Sequence, residues 1–260
     1  MHIKKIIGCL LLVGVISALP LRLLNLSTFN FEILALIKGL LVICLLYIFI
    51  KKENLQVKLF GIDSASIGKN TIPALFLLIL YLSLNYKKLL FLSPYSNTVL
   101  LIALTLFVFA FAEEIIFRGY IYGHLIKIVS FKYQAILNSS ALFALMHCLN
   151  IYKFDDIFGL INQLVFAFFM GILLGSLFFI TKSLLFTSLY HFFINLPVAL
   201  NRLQDRNVTK QEVLSQSLSD NLIGSLLFIL VISPIIIISI YYLVRIRKYE
   251  RGGDTISNGY

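Results

Sequence analysis

A chain of 260 residues of which 60% are hydrophobic and only 13% charged is too apolar for a soluble globular protein. In soluble proteins about half of the residues are apolar and about a quarter are charged. The formal net charge of +10 does not require nucleic acid, because basic residues also collect in the cytoplasmic loops of membrane proteins. No basic run is interleaved with aromatic residues as in a nucleic-acid-binding face. The composition therefore predicts that the chain lies in a lipid bilayer and that it does not bind nucleic acid.

Eight apolar segments are candidates for membrane-spanning helices, which need roughly 20 residues each. They are residues 6–24, 31–50, 72–86, 98–118, 134–151, 157–180, 183–200 and 222–244. The third segment is short, and the number of spans becomes seven if it does not cross. Residues 118–130 are expected to prolong the fourth span as a helix with an amphipathic end. The predicted fold class is therefore all-α, a polytopic transmembrane helical bundle in which residues 1–260 form a single membrane domain.

The first segment also resembles the hydrophobic region of a signal peptide. We expect an uncleaved helix instead, because further spans follow it. Eight spans place both termini on one side of the membrane. A cytoplasmic N-terminus puts thirteen Lys and Arg residues on the inner side and seven on the outer side, as the positive-inside rule favours. The predicted topology is N-in and C-in, with residues 245–260 as a basic cytoplasmic tail.

Glu113 and Glu114 are adjacent carboxylates that follow an apolar run of the fourth span. Ionisable groups inside a membrane are costly, so they usually face a cavity and have a function. Glu114 and Arg118 are four residues apart and share a helix face, where they can form an ion pair. Glu113 points about 100° away and stays free for another partner. A purely structural ion pair between helices would explain this segment equally well.

Two histidines lie within predicted spans, and they favour a functional site over a purely structural ion pair. His147 ends the run Phe143–His147, and His191 precedes Asn195 by one helical turn. A lone histidine in a membrane more often joins helices by a hydrogen bond. Two of them together with a carboxylate pair, on three separate spans, are harder to explain structurally. At about 1.5 Å per residue, Glu113, His147 and His191 all lie roughly 10–20 Å from the inner boundary, so they can meet in one plane.

Two kinds of chemistry suit these side chains. A carboxylate and an imidazole can take a proton from water and return it to a leaving amine, while a second imidazole and a carboxamide can stabilise an oxyanion. Alternatively, Glu113, His147 and His191 can bind zinc with water at an open position. The sequence contains no HExxH motif, so a zinc site has to be assembled from different helices.

Three motifs in this order resemble those of a known family. Glu113-Glu114-x-x-x-Arg118 is similar to its EExxxR motif, Phe143-x-x-x-His147 to its FxxxH motif, and His191-x-x-x-Asn195 to its HxxxN motif. The stretch GILLGSLFFITKSLLFTSLYH before the third motif is also similar. The family is the CAAX-protease and bacteriocin-processing family of membrane peptidases, also called the Abi family. The resemblance covers about residues 98–200, which we take as the catalytic core.

The resemblance implies an eight-span helical fold and a peptidase whose cavity opens toward the cytoplasm and the lipid. It implies that Glu113 and His147 activate water and that His191 and Asn195 form the oxyanion site. Glu114 and Arg118 would brace the cavity. The family has been described both as metallopeptidases and as metal-free glutamate peptidases. We favour a mechanism that requires no cofactor, with zinc as the alternative.

The expected substrate is a membrane-associated peptide or protein. Abundant Lys, Ile, Asn and Phe are typical of an AT-rich bacterial genome, so the expected location is a bacterial cell membrane. Family members include enzymes that cleave prenylated CAAX tails and proteins linked to bacteriocin processing or immunity. Two other functions remain open at this point. One is a non-catalytic bacteriocin-immunity or scaffold protein that only binds a peptide. The other is a proton-coupled transporter, which the lack of an internal repeat and of broken helix pairs disfavours.

Overall fold

The computed structural model describes residues 2–18, 28–52, 70–87, 96–149, 157–204 and 218–252. This part of the chain contains helices and turns and no strand. The helices are α1 (His2–Ala18), α2 (Thr28–Lys52), α3 (Ile72–Leu84), α4 (Ser96–Glu114), α5 (Tyr122–Leu125), α6 (Lys132–Met146), α7 (Ile157–Thr181), α8 (Leu184–Gln204) and α9 (Leu218–Glu250). A π-helical segment, Ile115–Ile121, joins α4 to α5 without a break. The predicted all-α class is confirmed, and each predicted span corresponds to one helical stretch.

Among the described residues, four stretches are long and apolar enough to cross a membrane: Glu32–Lys52, Val99–Leu125, Ile157–Thr181 and Leu222–Glu250. Two apolar helices, Ile72–Leu84 and Leu184–Leu200, are shorter. The 13 residues of α3 rise about 20 Å, whereas the hydrocarbon core of a bilayer is about 30 Å thick. As a straight helix, α3 is therefore too short to cross alone. This shortness is already apparent in the third apolar segment of the sequence.

The centre of the bundle is the close contact between α6 and α7. Gly171 and Gly175 lie four residues apart on α7, which is the small-residue spacing that lets membrane helices approach closely. A Cβ atom at Gly171 would lie 2.9 Å from the Ser140 Cβ atom, and one at Gly175 would lie 3.1 Å from the Ile136 Cγ2 atom. The glycines therefore set the distance between the two helices.

The beginning of α3 is anchored in the bundle by hydrogen bonds from two other helices. The Tyr242 hydroxyl of α9 donates to the Asn70 carbonyl oxygen at 2.7 Å, and Arg245 donates to the Asn70 side-chain oxygen at 2.7 Å. On α8, the Tyr190 hydroxyl donates to the Ala74 carbonyl oxygen at 3.0 Å. Since Tyr190 precedes His191, the bond from Tyr190 also holds the helix that carries the third motif.

Two boundaries differ from the sequence-based expectation. Helix α1 begins at His2 rather than near residue 6, and α9 continues to Glu250 rather than ending near residue 244. The second difference has a physical cause, since the Glu250 carboxylate accepts hydrogen bonds from the backbone N–H groups of Lys132 and Tyr133 at 2.8 and 3.0 Å. Most of the predicted polar segments 51–71 and 201–221, and residues 253–260 of the tail, lie outside the described residues.

Candidate active site

Glu114 and Arg118 form a completely buried ion pair where α4 passes into the π-helical segment. The Arg118 Nη1 atom lies 2.9 Å from Glu114 Oε1, and the two side chains are 2% and 0% exposed. The Arg118 Nη2 atom donates a second hydrogen bond, 2.9 Å long, to the backbone carbonyl oxygen of Gly171 on α7. Because its donors go to two different partners, Arg118 joins the carboxylate to a neighbouring helix.

The π-helical segment is itself fastened to α6. Ser139 donates a hydrogen bond from its hydroxyl to the Phe117 carbonyl oxygen at 2.9 Å, and both residues are buried. Short π-helical turns within α-helices occur frequently at functional sites. The irregular turn that carries Arg118 is thus held by a side-chain hydrogen bond in addition to its own backbone bonds.

His191 on α8 lies between the two glutamates. Its Nδ1 atom is 3.0 Å from Glu114 Oε1, and its Nε2 atom is 3.8 Å from Glu113 Oε2. A carboxylate can only accept, so Nδ1–H donates to Glu114 and Nε2 is directed toward Glu113. The exposed fractions differ sharply, at 37% for Glu113, 6% for His191 and 0% for Glu114. Glu114 is therefore the buried anchor, and Glu113 is the carboxylate that a substrate or water can reach.

The ring of Phe143 on α6 packs beside the charged groups of the cluster. The Arg118 guanidinium carbon lies 5.0 Å from its centroid. The His147 ring is 4.8 Å away and the His191 ring 5.9 Å away, both in edge-to-face geometry. A cation near an aromatic ring and edge-to-face ring pairs are each favourable. Phe143 therefore contacts members of all three motifs.

His147 lies at the end of α6, where a short 3₁₀ turn begins. Its Nδ1 atom is 2.8 Å from the Phe143 carbonyl oxygen, so Nδ1–H donates and Nε2 remains available as a proton acceptor. Among the described residues, His147 makes no hydrogen bond or ion pair with either glutamate. The structure connects it to the cluster through the Phe143 ring.

Asn195 follows His191 by one turn of α8 and is partly buried. The structure thus brings Glu113, Glu114, Arg118 and His191 together. The Phe143 ring contacts both His147 and His191. Asn195 shares the helix of His191. No group of three His, Cys, Asp or Glu side chains within the described residues is arranged so that it could hold a metal ion. The zinc alternative of Glu113, His147 and His191 stays a prediction.

Two contributors were not assigned a role from the sequence. Gly171 supplies a carbonyl oxygen to Arg118, and Phe143 supplies the ring against which the motif side chains rest. The spacing of Gly171 and Gly175 in GILLG was a usable signal for close helix packing. Every residue has a backbone carbonyl group that can accept a hydrogen bond, so the contact between Arg118 and Gly171 could not be predicted from the sequence.

The helical bundle and this cluster define an integral membrane protein with a buried site of carboxylate and imidazole groups. Residues 95–197 match the family model described as type II CAAX prenyl endopeptidase Rce1-like, and the match includes all three motifs. Neither the curated proteins nor the solved structures contain a significant match to the chain. This part of the chain is therefore similar to CAAX-type prenyl endopeptidases, and the similarity supports an intramembrane endopeptidase of that general kind.

Proposed function

We propose that the protein hydrolyses a peptide bond in a membrane-associated peptide or protein, with Glu113 as the base that activates water. The observation that carries this proposal is the asymmetry of the two glutamates. Glu114 is buried and paired with Arg118, whereas Glu113 is 37% exposed and faces His191. A base must reach its water, and only Glu113 of this pair is open.

In the proposed reaction, water attacks the carbonyl carbon of the scissile bond as its proton passes to the Glu113 carboxylate. His147 assists through Nε2, which its hydrogen bond to the Phe143 carbonyl leaves free to accept. The negative charge collects on the former carbonyl oxygen. The C–N bond then breaks, and the proton held by Glu113 goes to the leaving nitrogen.

His191 and Asn195 are proposed to stabilise that oxyanion by donating hydrogen bonds. Since His191 gives Nδ1–H to Glu114, it can donate from Nε2 only when the ring carries two protons. Glu114 and Arg118 are thus positioning residues that hold His191, and the asparagine carboxamide supplies the second donor.

This mechanism requires no metal ion, and zinc remains the alternative. A zinc shell of Glu113, His147 and His191 would need the three side chains to converge, which no trio of His, Cys, Asp or Glu in the described residues does. The substrate is proposed to be a small peptide or leader sequence at a bacterial cell membrane. Binding without cleavage, as in an immunity or scaffold protein, is the alternative function.

The decisive experiment is cleavage of a quenched peptide library by the purified protein in nanodiscs. Wild type, Glu113→Gln and Glu32→Gln are compared with and without a chelator. Glu32→Gln is the matched control, because it removes a carboxylate from α2 rather than from the site. We expect only Glu113→Gln to lose cleavage, and the chelator to have no effect. Loss on chelation with recovery on added zinc would instead establish the metal mechanism, and folded wild type without cleavage would favour binding alone.

A further inference from the structure

A second polar cluster lies at the end of the bundle where α6 begins and where α7 and α9 end. Its centre is the Phe179 ring. The Lys182 Nζ atom lies 4.3 Å from the ring centroid, and the Lys132 Nζ atom lies 5.6 Å from it. Both distances are to the same centroid, so the two ammonium groups are less than one Debye length, about 10 Å, apart.

A third cation extends this cluster along α9. The Arg247 guanidinium carbon lies 5.8 Å from the Tyr133 ring, and Tyr133 follows Lys132 at the start of α6. Lys132 and Arg247 are exposed, whereas Lys182 is partly buried. We call Lys132, Lys182 and Arg247 the basic cluster.

The nearby acidic residue is already engaged. The Glu250 carboxylate accepts backbone N–H bonds from Lys132 and Tyr133, one on each oxygen. It therefore satisfies the first turn of α6, and its charge is shared with that helix end. The pKa of Lys182 is lowered from 10.5 to about 8, first by burial and then by repulsion from Lys132, with Glu250 opposing the shift. Three cations around one engaged carboxylate leave the cluster with excess positive charge.

The backbone holds Lys182 in this place. Its φ is +53°, the only positive φ of a non-glycine residue among those described. Its N–H donates to the Phe178 carbonyl oxygen at 2.8 Å and closes α7. A left-handed conformation costs a residue with a side chain roughly 1 kcal/mol or more. A lysine that is strained, partly buried and close to another lysine is a poor choice for stability alone, which points to a ligand.

We propose that the basic cluster binds the phosphate group of an anionic phospholipid in the cytoplasmic leaflet. Basic pockets between membrane helices on the cytoplasmic side are suited to such headgroups. The eight-span topology puts the ends of α7 and α9 on that side, and the basic residues gathered at this end favour the cytoplasmic side by the positive-inside rule. Phosphate oxygens can accept hydrogen bonds from both ammonium groups, and the Phe179 and Tyr133 rings offer aromatic surface beside them. The site is separate from the glutamate cluster and does not depend on the proposed peptidase mechanism.

Thermal unfolding in a neutral detergent, titrated with short-chain phosphatidylglycerol, tests this proposal. Short-chain phosphatidylcholine and inorganic phosphate are the two comparison ligands. The variant is Lys132→Gln with Lys182→Gln, and the matched control is Lys51→Gln with Lys52→Gln. The control removes two positive charges from the end of α2, where the Lys51 Nζ atom also lies near a ring, 6.0 Å from the Tyr47 centroid.

We expect phosphatidylglycerol to raise the melting temperature of the wild type and the control to the same extent. At about 1 kcal/mol for each lysine, the apparent affinity of the cluster variant falls about 25-fold. Replacement of both lysines by arginine, which keeps the charge, retains the stabilisation. If the double glutamine variant does not fold, Lys132→Gln alone is used, since its side chain is exposed, and about a fivefold loss is expected.

Three results would overturn the proposal. Equal loss in the control would show that only the total charge matters. Equal stabilisation by phosphatidylcholine would show a nonspecific detergent effect. Equal stabilisation by inorganic phosphate at the same concentration would establish a free-anion site without a lipid.

Discussion

Glu114 and His191 are 77 residues apart in the chain, yet His191 Nδ1 lies 3.0 Å from Glu114 Oε1. The same carboxylate oxygen accepts a 2.9 Å hydrogen bond from Arg118. The carboxylate that forms the predicted ion pair with Arg118 therefore also holds the histidine of another helix. Glu113, one residue earlier, faces the other nitrogen of the same ring. One imidazole therefore lies between a buried glutamate and a partly exposed one, and the exposed one is the carboxylate that we propose to be reactive.

The two glutamates are expected to respond differently to the same substitution. Glu114→Gln leaves Arg118 without its buried counter-charge, and breaking such a pair costs about 3–5 kcal/mol. It should lower both the stability and the activity, because His191 loses its anchor. Glu113→Gln should abolish cleavage and leave the melting temperature close to that of wild type, since Glu113 is 37% exposed. Unfolding curves of both variants in one detergent make the comparison, and equal melting temperatures would contradict it.

Phe143→Leu should reduce activity more than stability. The smaller side chain removes the ring that contacts Arg118, His147 and His191, at a cost to folding of about 1–2 kcal/mol. We expect at least a tenfold loss in kcat, because both histidine rings pack against that ring. Phe178→Leu is the matched control, since Phe178 is also buried in edge-to-face contact, with Tyr122 at 5.9 Å. A similar loss of kcat in both variants would argue against a special role for Phe143.

Substitution of three glycines by alanine should produce graded effects. Gly171→Ala places a Cβ atom 3.0 Å from the Ser140 Cα atom, so backbone must move, and overpacking of this kind costs about 1–3 kcal/mol. Gly175→Ala meets the Cγ2 atom of Ile136 at 3.1 Å and should cost less, because a side-chain atom rather than the backbone has to give way. A Cβ atom at Gly224 would have open space around it, with no contact within 4 Å, and Gly224→Ala should stabilise α9 by up to about 1 kcal/mol.

Gly171→Ala should also reduce activity, because Gly171 accepts the hydrogen bond from Arg118. Melting temperatures and initial rates of the three variants are the measurements. The order of the three melting temperatures is the critical result. If Gly171→Ala were as stable as Gly224→Ala, the close contact between α6 and α7 would not be present in the membrane protein.

Stability should rise with pH between about pH 8 and pH 10.5 through Lys182. Its pKa falls from 10.5 to about 8 in the folded chain, mainly through burial. Below pH 8, Lys182 is protonated in both the folded and the unfolded chain, and the folded chain bears the full cost of burying this charge. As pH rises through it, the folded state releases the proton first and gains stability, by at most about 3 kcal/mol.

The groups that act on Lys182 are Lys132 of α6 and Glu250 of α9. Replacement of Lys182 by Met should raise stability at pH 7 and remove this part of the pH dependence. Lys52→Met, at the exposed end of α2, is the control and should leave the slope unchanged. Melting temperatures between pH 7 and pH 10.5 measure the effect, and an identical slope in the Lys182 variant would refute the assignment.

The sequence by itself determined the membrane class, the order of the helices and the local geometry of each motif. Apolar runs of membrane length allow few other interpretations, because unsatisfied backbone groups in lipid force a helix. Glu114 and Arg118 could be paired from their spacing, since residues four apart share a helix face. The end of α9 was placed too early, because its last turn is held by contacts of Glu250 with α6 that a local pattern does not contain.

Only the tertiary structure decided which groups of different helices meet. Helices that are apolar on nearly all sides give no periodic signal for their rotation or depth, and each can face several neighbours. The contact of His191 with both glutamates, the Phe143 ring between the histidines and the bond from Arg118 to the Gly171 carbonyl all depend on how closely α6, α7 and α8 pack. That distance is set by side-chain volume at positions such as Gly171, where the absence of a Cβ atom matters only once the opposite helix is in place.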